Sequence, residues 1–324
     1  VQTLPRAGFS VYALRPRSGI FSGTRILFNF GDAVREPTLD DQEASLYVFL
    51  QNNDGQTTIQ ALNLHQLTAP AVRTYEGGAE QSFLSQHVIF RASYFHNQFG
   101  RETESVGYQL VPELLPNLSP AKQTELEDAL VADNAFELTL NSMAFSAQGV
   151  ETSVESGIGS NLFLRGGYTY LDAAVQRSFT NDDEALLGPI PTFDGILVGP
   201  YSPLVGARPF RRAPHTGYFT ATYSAKRFTG VFSSAFASRS DDSTYLENED
   251  ENGLNSLLLP NRNLDYGYAK LDIGESFEIL SWLDFYTQAE NLMNNQHIAP
   301  IGYPSLPFTV RTGLRLRWGP GSGH

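Results

Sequence analysis

The side chains that most often carry catalysis are sparse and poorly spaced in this sequence. The chain has no cysteine, so thiolate metal sites, disulfides and a cysteine nucleophile are excluded. The histidines are His65, His87, His96, His215, His297 and His324, and they show no HxxxH-like ligand spacing. No glycine-rich phosphate loop follows a strand-like segment. We therefore expect no enzyme activity, because a hydrolase would need a Ser–His or Asp–His pair that the sequence does not support.

An acidic segment at residues 241–252 is a candidate metal site. Clustered carboxylate and amide oxygens suit a hard cation such as calcium. The candidate calcium ligands are Asp241, Asp242, Glu249 and Asp250. Residues 181–184, Asn-Asp-Asp-Glu, precede them in another loop and could share the site. A solvated acidic loop without bound metal explains the same composition, so both interpretations stay open.

Arginines and aromatic residues are concentrated in other loop-like segments. Such side chains suit an anionic, partly apolar small molecule, through cation–π contacts and charge-assisted hydrogen bonds. The candidate ligand-binding residues are Phe193, Tyr201, Arg208, Phe210, Arg211, Arg212, Tyr245 and Tyr303. With 22 Lys+Arg against 35 Asp+Glu, the net charge of −13 argues against nucleic acid as the partner.

Alternation of apolar and polar residues predicts strands along the whole chain. In residues 308–318, Leu314 and Trp318 fall on one face, and Arg311 and Arg315 fall on the other. Successive side chains of a strand point to opposite faces, so this segment has one apolar and one cationic face. The same pattern recurs in residues 24–31, 161–170 and 268–277. Any one such strand would also fit a soluble sandwich.

The spacing of the strands favours a membrane barrel over a sandwich. About eleven strands alternate short turns with long loops, the arrangement of outer-membrane barrels with tight periplasmic and long extracellular connections. Residues 84–86 and 225–227 are examples of the turns, and residues 32–70 and 101–141 of the loops. We predict an all-β, transmembrane antiparallel β-barrel.

The alternation also assigns faces in this barrel. We expect Leu164, Leu271 and Leu314 to face lipid, since apolar side chains line the outside of such barrels. Their neighbours Arg165, Lys270 and Arg315 are expected to face the lumen.

One helix is predicted, at residues 118–132. Ser119 is the expected N-cap, Pro120 is at the first helical position, and Leu126 and Leu130 lie on an apolar stripe. Within an outer loop, this helix would cap the pore, contact a partner or pack on neighbouring loops.

The end of the sequence resembles TonB-dependent outer-membrane receptors. Residues 288–294, Gln-Ala-Glu-Asn-Leu-Met-Asn, are similar to the ENL(F/L)D segment on that family's penultimate strand. A loop with Gly302-Tyr303-Pro304 follows, and then a last strand that ends in an aromatic residue, Trp318.

Three earlier motifs resemble the same family and occur in the family's order. Residues 31–39, Gly-Asp-Ala-Val-Arg-Glu-Pro-Thr-Leu, are similar to the GxxxREPxL stretch that opens an extracellular loop. Gly149-Val150-Glu151 with residues 166–170 resembles the GxE…YxY hairpin. Residues 214–217, Pro-His-Thr-Gly, resemble the PxHT start of a strand.

The resemblance implies that this chain is the second half of a 22-stranded barrel. Residues 1–318 would form that C-terminal half, and residues 319–324 a C-terminal tail, because family chains usually stop at the aromatic residue. The plug domain and the N-terminal strands of the family are expected to be absent from this chain.

The resemblance also implies a function in the bacterial outer membrane. A TonB-dependent receptor binds a scarce nutrient, such as a ferric siderophore or cobalamin-like ligand, at its extracellular loops. Expected partners are outer-membrane lipid, the N-terminal barrel half and plug, and the TonB complex, which energises uptake through the plug. The lumen arginines Arg165, Arg311, Arg315 and Arg317 would then contact ligand or plug. The alternative is an outer-membrane barrel scaffold or adhesin without transport.

Overall fold

The alternating segments of the sequence are β-strands in the structure, which is a computed structural model. The structure describes residues 3–61, 63–107, 119–122, 124–125, 137–177, 192–193, 196–197, 206, 208–248, 255–265, 267–296 and 306–317. The strands are β1 (Arg6–Leu14), β2 (Phe21–Val34), β3 (Ala71–Phe83), β4 (Val88–Gly107), β5 (Glu137–Ile158), β6 (Leu162–Arg177), β7 (Thr192–Phe193), β8 (Ile196–Leu197), β9 (His215–Ala225), β10 (Phe228–Ala237), β11 (Ser240–Asn248), β12 (Asn255–Asp265), β13 (Tyr268–Leu280), β14 (Leu283–Glu290) and β15 (Thr309–Leu316). Three short helices, α1 (Leu39–Glu43), α2 (Leu46–Asn52) and α3 (Gln56–Ala61), lie between β2 and β3. Among the described residues, no helix is long and apolar enough to cross a membrane.

Eleven strands form one antiparallel sheet. Their order is β1-β2-β3-β4-β5-β6-β9-β10-β13-β14-β15, and the pairs β7–β8 and β11–β12 form two separate hairpins. The eleven strands therefore pair in the order in which they occur along the chain, each antiparallel to its neighbours. The predicted number of strands and their up-and-down order are confirmed.

Cross-strand register sorts the side chains into two faces, as the alternation predicts. Leu164 lies opposite Ala221 on β9, and Ala221 lies opposite Phe232 on β10. The next position along, Arg165, lies opposite Thr220, which belongs to the other face. We call the apolar face the outer wall, because lipid contacts that side of a membrane barrel, and the polar face the inner wall. Large apolar side chains stay exposed on the outer wall, among them Ile26, Phe28, Tyr94, Val154, Phe219, Ile273 and Leu314.

The short turns predicted from the sequence lie along one rim. Lys226 and Arg227 alone separate β9 from β10, and Ser281 and Trp282 separate β13 from β14. The turn after β3 is braced by its neighbour, since the Gln86 backbone N–H donates to Ser22 Oγ at 2.9 Å. In bacterial outer-membrane barrels the rim with short turns faces the periplasm.

Long connections carry structure that the sequence analysis assigned to loops. The first long connection holds α1–α3, and side chains cap the first two. At the start of α1, Thr38 Oγ1 accepts from the Asp41 backbone N–H, and the Asp41 carboxylate accepts from the Thr38 N–H. The hydrogen bond from the Thr38 backbone N–H, with a smaller contribution from the Thr38 side chain, holds the pKa of the Asp41 carboxyl below its usual value. Leu46 and Leu50 of α2 are fully buried, and α2 contacts β5. Residues 241–261 likewise hold most of the β11–β12 hairpin.

The helix predicted at residues 118–132 is confirmed at its start. Residues 120–122 and 124–125 are helical, and Ser119 Oγ accepts from the Lys122 backbone N–H at 3.4 Å. Leu126 to Ala132, Trp318 and the tail 319–324 lie outside the described residues.

The ENL-like motif has a structural role at the end of β14. Asn291 is buried, and its backbone N–H donates to the Asp272 carboxylate at 2.8 Å. Its side-chain amide donates to the carbonyls of Asn295 and Leu306, which joins the two ends of the last outer loop. The motif therefore fixes the path from β14 to β15.

Candidate functional site

A cavity of about 320 Å³ opens at the extracellular end of the inner wall. It lies where β2, β3, β4 and β5 approach the long loops. Its lining residues are Ala33, Val34, Arg35, Pro70, Ala71, Val72, Phe99, Glu102, Phe145 and Arg212. We call it the outer-rim pocket. Concave sites with apolar walls and a few polar groups are the usual form of small-molecule sites.

Two stacked phenylalanines form the apolar wall of the outer-rim pocket. Phe99 on β4 lies opposite Phe145 on β5, so both rings project from the inner wall. Their centroids are 4.2 Å apart and their planes differ by 13°. Both side chains are half-buried, which leaves ring surface for a further flat or apolar group.

Two arginines and one glutamate supply the charges of the outer-rim pocket. Arg35 follows β2, Arg212 precedes β9, and both are exposed. Glu102 is half-buried, and this desolvation raises the pKa of its carboxyl, while the charge of Arg35 acts in the opposite direction. The pocket therefore combines cations, aromatic rings and one carboxyl that is protonated more readily than usual.

The structure brings only part of the predicted ligand set to this pocket. Arg212 lines it directly. Arg208, Phe210 and Arg211 lie just upstream of β9, and the Arg211 backbone N–H donates to the Asp241 carbonyl at 2.8 Å. Phe193 lies in β7 and Tyr245 in β11. Tyr201 and Tyr303 lie outside the described residues.

Sequence reasoning missed Phe99, Phe145, Arg35 and Glu102 as members of a site. Phe99 and Phe145 are 46 positions apart in the chain, and only the β4–β5 register brings them together. Arg35 belongs to residues 31–39, the stretch similar to GxxxREPxL. That similarity indicated the start of an outer loop and not a binding site.

A second group of charges forms an inner-wall ladder across β2–β6. Arg25 Nη2 lies 2.9 Å from Glu80 Oε2, which also lies 2.7 Å from Arg91 Nε. Arg91 Nη1 lies 3.2 Å from Glu155 Oε1, and Arg165 Nε lies 3.5 Å from the same oxygen. Positive and negative groups alternate from strand to strand, so the ladder ties five strands together. Arg165 is thus paired within the wall.

The other lumen arginines also have partners on adjacent strands. Arg311 Nη2 lies 3.3 Å from Glu290 Oε2, and Arg317 Nη2 lies 2.6 Å from Asp284 Oδ2. The Arg315 guanidinium carbon lies 5.6 Å from the centre of the Tyr286 ring. These contacts stabilise the pairing of β14 with β15. Because these arginines already have partners within the wall, the outer-rim pocket is the better candidate for a ligand site.

The calcium hypothesis stays a prediction. Asp241 is buried at the start of β11, Asp242 follows it in β11, and Glu249 and Asp250 lie outside the described residues. Within the described part of the chain, no group of three or more His, Asp or Glu side chains is placed to hold a metal ion.

We expect calcium to bind the complete receptor through these carboxylates and to lose most of its binding heat in the Asp241→Asn, Asp242→Asn double variant. Neutral amides keep the oxygen ligands but remove the charge that attracts the ion. Isothermal titration of calcium into both proteins measures this. Unchanged heat in the double variant would support the solvated-loop interpretation.

Comparison with solved structures identifies the fold. The chain matches the ferric-catecholate import receptor Fiu of E. coli K12 with a TM-score of 0.52 at 14% identity, over 96% of this chain and 34% of that one. It matches the ferripyoverdine receptor of the outer membrane of Pseudomonas aeruginosa with a TM-score of 0.56 at 10% identity, over 97% and 32%. The copper transporter OprC matches with a TM-score of 0.52 at 10% identity, over 97% and 40%.

These proteins are TonB-dependent outer-membrane receptors, so the chain has the fold of their transmembrane barrel. The predicted fold is confirmed. The chain spans 32–40% of the length of these three structures. No family model and no curated protein matches the sequence.

Proposed function

We propose, starting from the barrel fold of TonB-dependent receptors, that this chain belongs to a bacterial outer-membrane receptor that binds a scarce small-molecule nutrient for energised uptake. The observation that carries the proposal is the outer-rim pocket, where the Phe99–Phe145 pair lies beside Arg35 and Arg212. A site at the extracellular end of the inner wall is in the path of a solute that enters from outside.

The chemistry of the pocket favours an anionic, partly aromatic ligand. Guanidinium groups bind carboxylate and phenolate oxygens through charge-assisted hydrogen bonds, and they also stack on rings. The stacked phenylalanines offer apolar surface to the rest of the ligand. A ferric siderophore fits this description and is the first candidate ligand. A cobalamin-like ligand is the second candidate. Two of the matched proteins are a ferric-catecholate import receptor and a ferripyoverdine receptor, which supports the first.

Transport needs parts beyond this chain. We propose that a plug and an N-terminal barrel half complete the receptor, and that the TonB complex acts on the plug to release the bound nutrient. The chain would then supply the wall and the extracellular loops, and it would carry out no catalysis.

Removal of the Phe99 ring is expected to weaken ligand binding by about tenfold, equivalent to about 1.4 kcal/mol. Arg212→Gln is expected to weaken it as well, because the ligand loses a cation but no stacking surface. Titration of ferric catecholates and ferripyoverdine against the complete receptor, followed by fluorescence quenching, measures both effects. Phe90→Ala is the matched control, since Phe90 is an exposed outer-wall aromatic that lies away from the pocket.

In the same titration, the Glu102→Gln variant should strengthen ligand binding, whereas the Phe99 and Arg212 variants weaken it. Above its raised pKa, the carboxylate repels an anionic ligand, and below that pKa the neutral acid does not. Affinity should therefore rise as the pH falls through that raised pKa, and Glu102→Gln should bind tightly without this dependence. If neither Phe99→Ala nor Glu102→Gln changes binding of any chelate, the outer-rim pocket is not the ligand site and the scaffold or adhesin alternative gains support.

A further inference from the structure

The rim formed by the short turns carries basic side chains and no acidic ones. The five turns comprise residues 15–20, 84–87, 159–161, 226–227 and 281–282. They contain Arg15, Arg17, Lys226 and Arg227, and no aspartate or glutamate. This is unexpected in a chain whose acidic residues outnumber its basic ones by 35 to 22. All of the aspartates and glutamates lie outside these five turns.

The basic side chains of this rim are available for contact. All four are exposed. None of them makes an ion pair with a carboxylate in the described part of the chain, in contrast to Arg317, which pairs with Asp284 near the same rim. Arg17 Nε donates to the Phe21 carbonyl at 3.3 Å, which holds its guanidinium at the turn.

A belt of aromatic residues on the outer wall fixes the depth of this rim in the membrane. Aromatic side chains on the outer wall lie within four positions of the turns, and they are Phe21, Phe83, Phe90, Tyr223, Phe228, Phe277 and Phe285. Trp282 lies in a turn itself and is 52% exposed. Aromatic girdles of membrane barrels lie at the boundary between hydrocarbon and headgroups. The turn residues just beyond the belt are therefore at the level of the lipid phosphates.

We propose that this rim binds anionic phospholipid headgroups of the periplasmic leaflet at two sites, one formed by Arg15 and Arg17 and the other by Lys226 and Arg227. The two hairpins are six strand spacings apart in the sheet, roughly 30 Å at about 4.8 Å per strand. Each pair of cations thus attracts its own lipid. The aromatic belt positions each headgroup, and the cations select those that carry net negative charge.

Membrane lipid is favoured over a soluble periplasmic partner because the cations adjoin the lipid-facing aromatics. Tyr223 and Phe228 flank the Lys226–Arg227 turn, with ring centroids 6.3 Å apart. Phe21 and Phe83 lie beside the first hairpin, with centroids 5.7 Å apart. Both cationic sites therefore continue an apolar surface that acyl chains cover.

Lipid selectivity of the complete receptor tests the proposal. Spin-labelled phosphatidylglycerol and phosphatidylcholine, added separately to the receptor in phosphatidylcholine nanodiscs, give a relative association constant. One basic side chain at a membrane surface contributes a factor of about five to the attraction of an anionic lipid. The Arg17→Gln, Lys226→Gln double variant removes one charge from each site and should lower the preference about fivefold. The quadruple variant that also carries Arg15→Gln and Arg227→Gln should lose the preference.

The opposite rim supplies the matched control. Arg6 and Arg101 are exposed residues at the extracellular ends of β1 and β4, and the Arg6→Gln, Arg101→Gln double variant should keep the preference. High salt should weaken the preference of the unmodified receptor, since ions screen exposed charges. Three results would overturn the proposal: no preference in the unmodified receptor, equal loss in the control variant, or an unchanged preference in the quadruple variant. Ligand binding at the outer-rim pocket is measured separately and does not affect this outcome.

Discussion

Arginine in place of Ala221 is expected to destabilise the complete barrel by about 2–4 kcal/mol, the cost of a charge facing lipid near the bilayer midplane. Ala221 belongs to the outer wall, where it lies opposite Leu164 on one side and Phe232 on the other. It precedes the Lys226–Arg227 turn by five positions, so it lies well inside the hydrocarbon layer. Since alanine is small, the substitution adds a lipid-facing charge and removes almost no packing.

Ser233→Arg is the matched control for this prediction. Ser233 lies opposite Thr220 and Asp272 on the inner wall, where water and a carboxylate can receive the new cation. We expect it to cost less than about 1 kcal/mol, as for lumen-facing positions. Denaturant unfolding of both variants in lipid vesicles gives the two free energies. Equal costs would show that the two faces have been wrongly assigned.

Leu314 and Leu271 lie nearer the borders of the outer wall than its middle. Leu314 is two residues before the end of β15, whereas Leu271 lies toward the outer rim. Leu314→Arg should therefore cost no more than about 1 kcal/mol, the value near an interface. Spin labels at positions 164 and 314 should still respond to a lipid-soluble quencher more strongly than labels at positions 165 and 315.

Alternation predicted the walls because it depends on neighbouring residues alone. The side-chain period of a strand is two, so residues 161–170 and 308–318 reveal their faces without any knowledge of partners. The turn at residues 225–227 could be placed for the same reason. Depth in the membrane was not accessible in this way, because it depends on where the aromatic belts of all the strands align.

The candidate site was predicted less completely because its residues meet only through long-range register. In the sequence, Phe99 and Phe145 do not differ from other aromatic residues in strands. Only the pairing of β4 with β5 places them opposite each other. The helices of the first long loop had a local signal that was overlooked. Thr38 and Asp41 form a capping box, and Ser45 caps α2 by accepting from the Val48 N–H. Short helices without a long apolar stripe are easily assigned to loops.

A second prediction with a large expected effect concerns the two edge strands of the eleven-stranded sheet, β1 and β15. Within the described part of the chain, β1 pairs with β2 alone and β15 pairs with β14 alone. An unpaired backbone group in hydrocarbon costs several kcal/mol, so two open edges together cost on the order of tens of kcal/mol. Closure of eleven strands on themselves would give an odd number, whereas single-chain bacterial barrels are even. We therefore expect both edges to pair with strands outside residues 1–324.

Residues 1–324 alone should then fail to form a closed, heat-modifiable barrel in detergent or lipid, whereas the complete receptor should form one. Hydrogen exchange in the complete receptor should be as slow in β15 as in β14, because both edges of β15 are bonded there.

Cysteine pairs provide the decisive comparison. Val11→Cys with Ile26→Cys should crosslink, since these positions lie opposite each other on β1 and β2. Val11→Cys with Leu314→Cys should not, because additional strands separate β1 from β15. Efficient crosslinking of the second pair in a stable membrane-inserted chain would mean that the eleven strands close into a small barrel, and the receptor architecture would then give way to that of a passive barrel or scaffold.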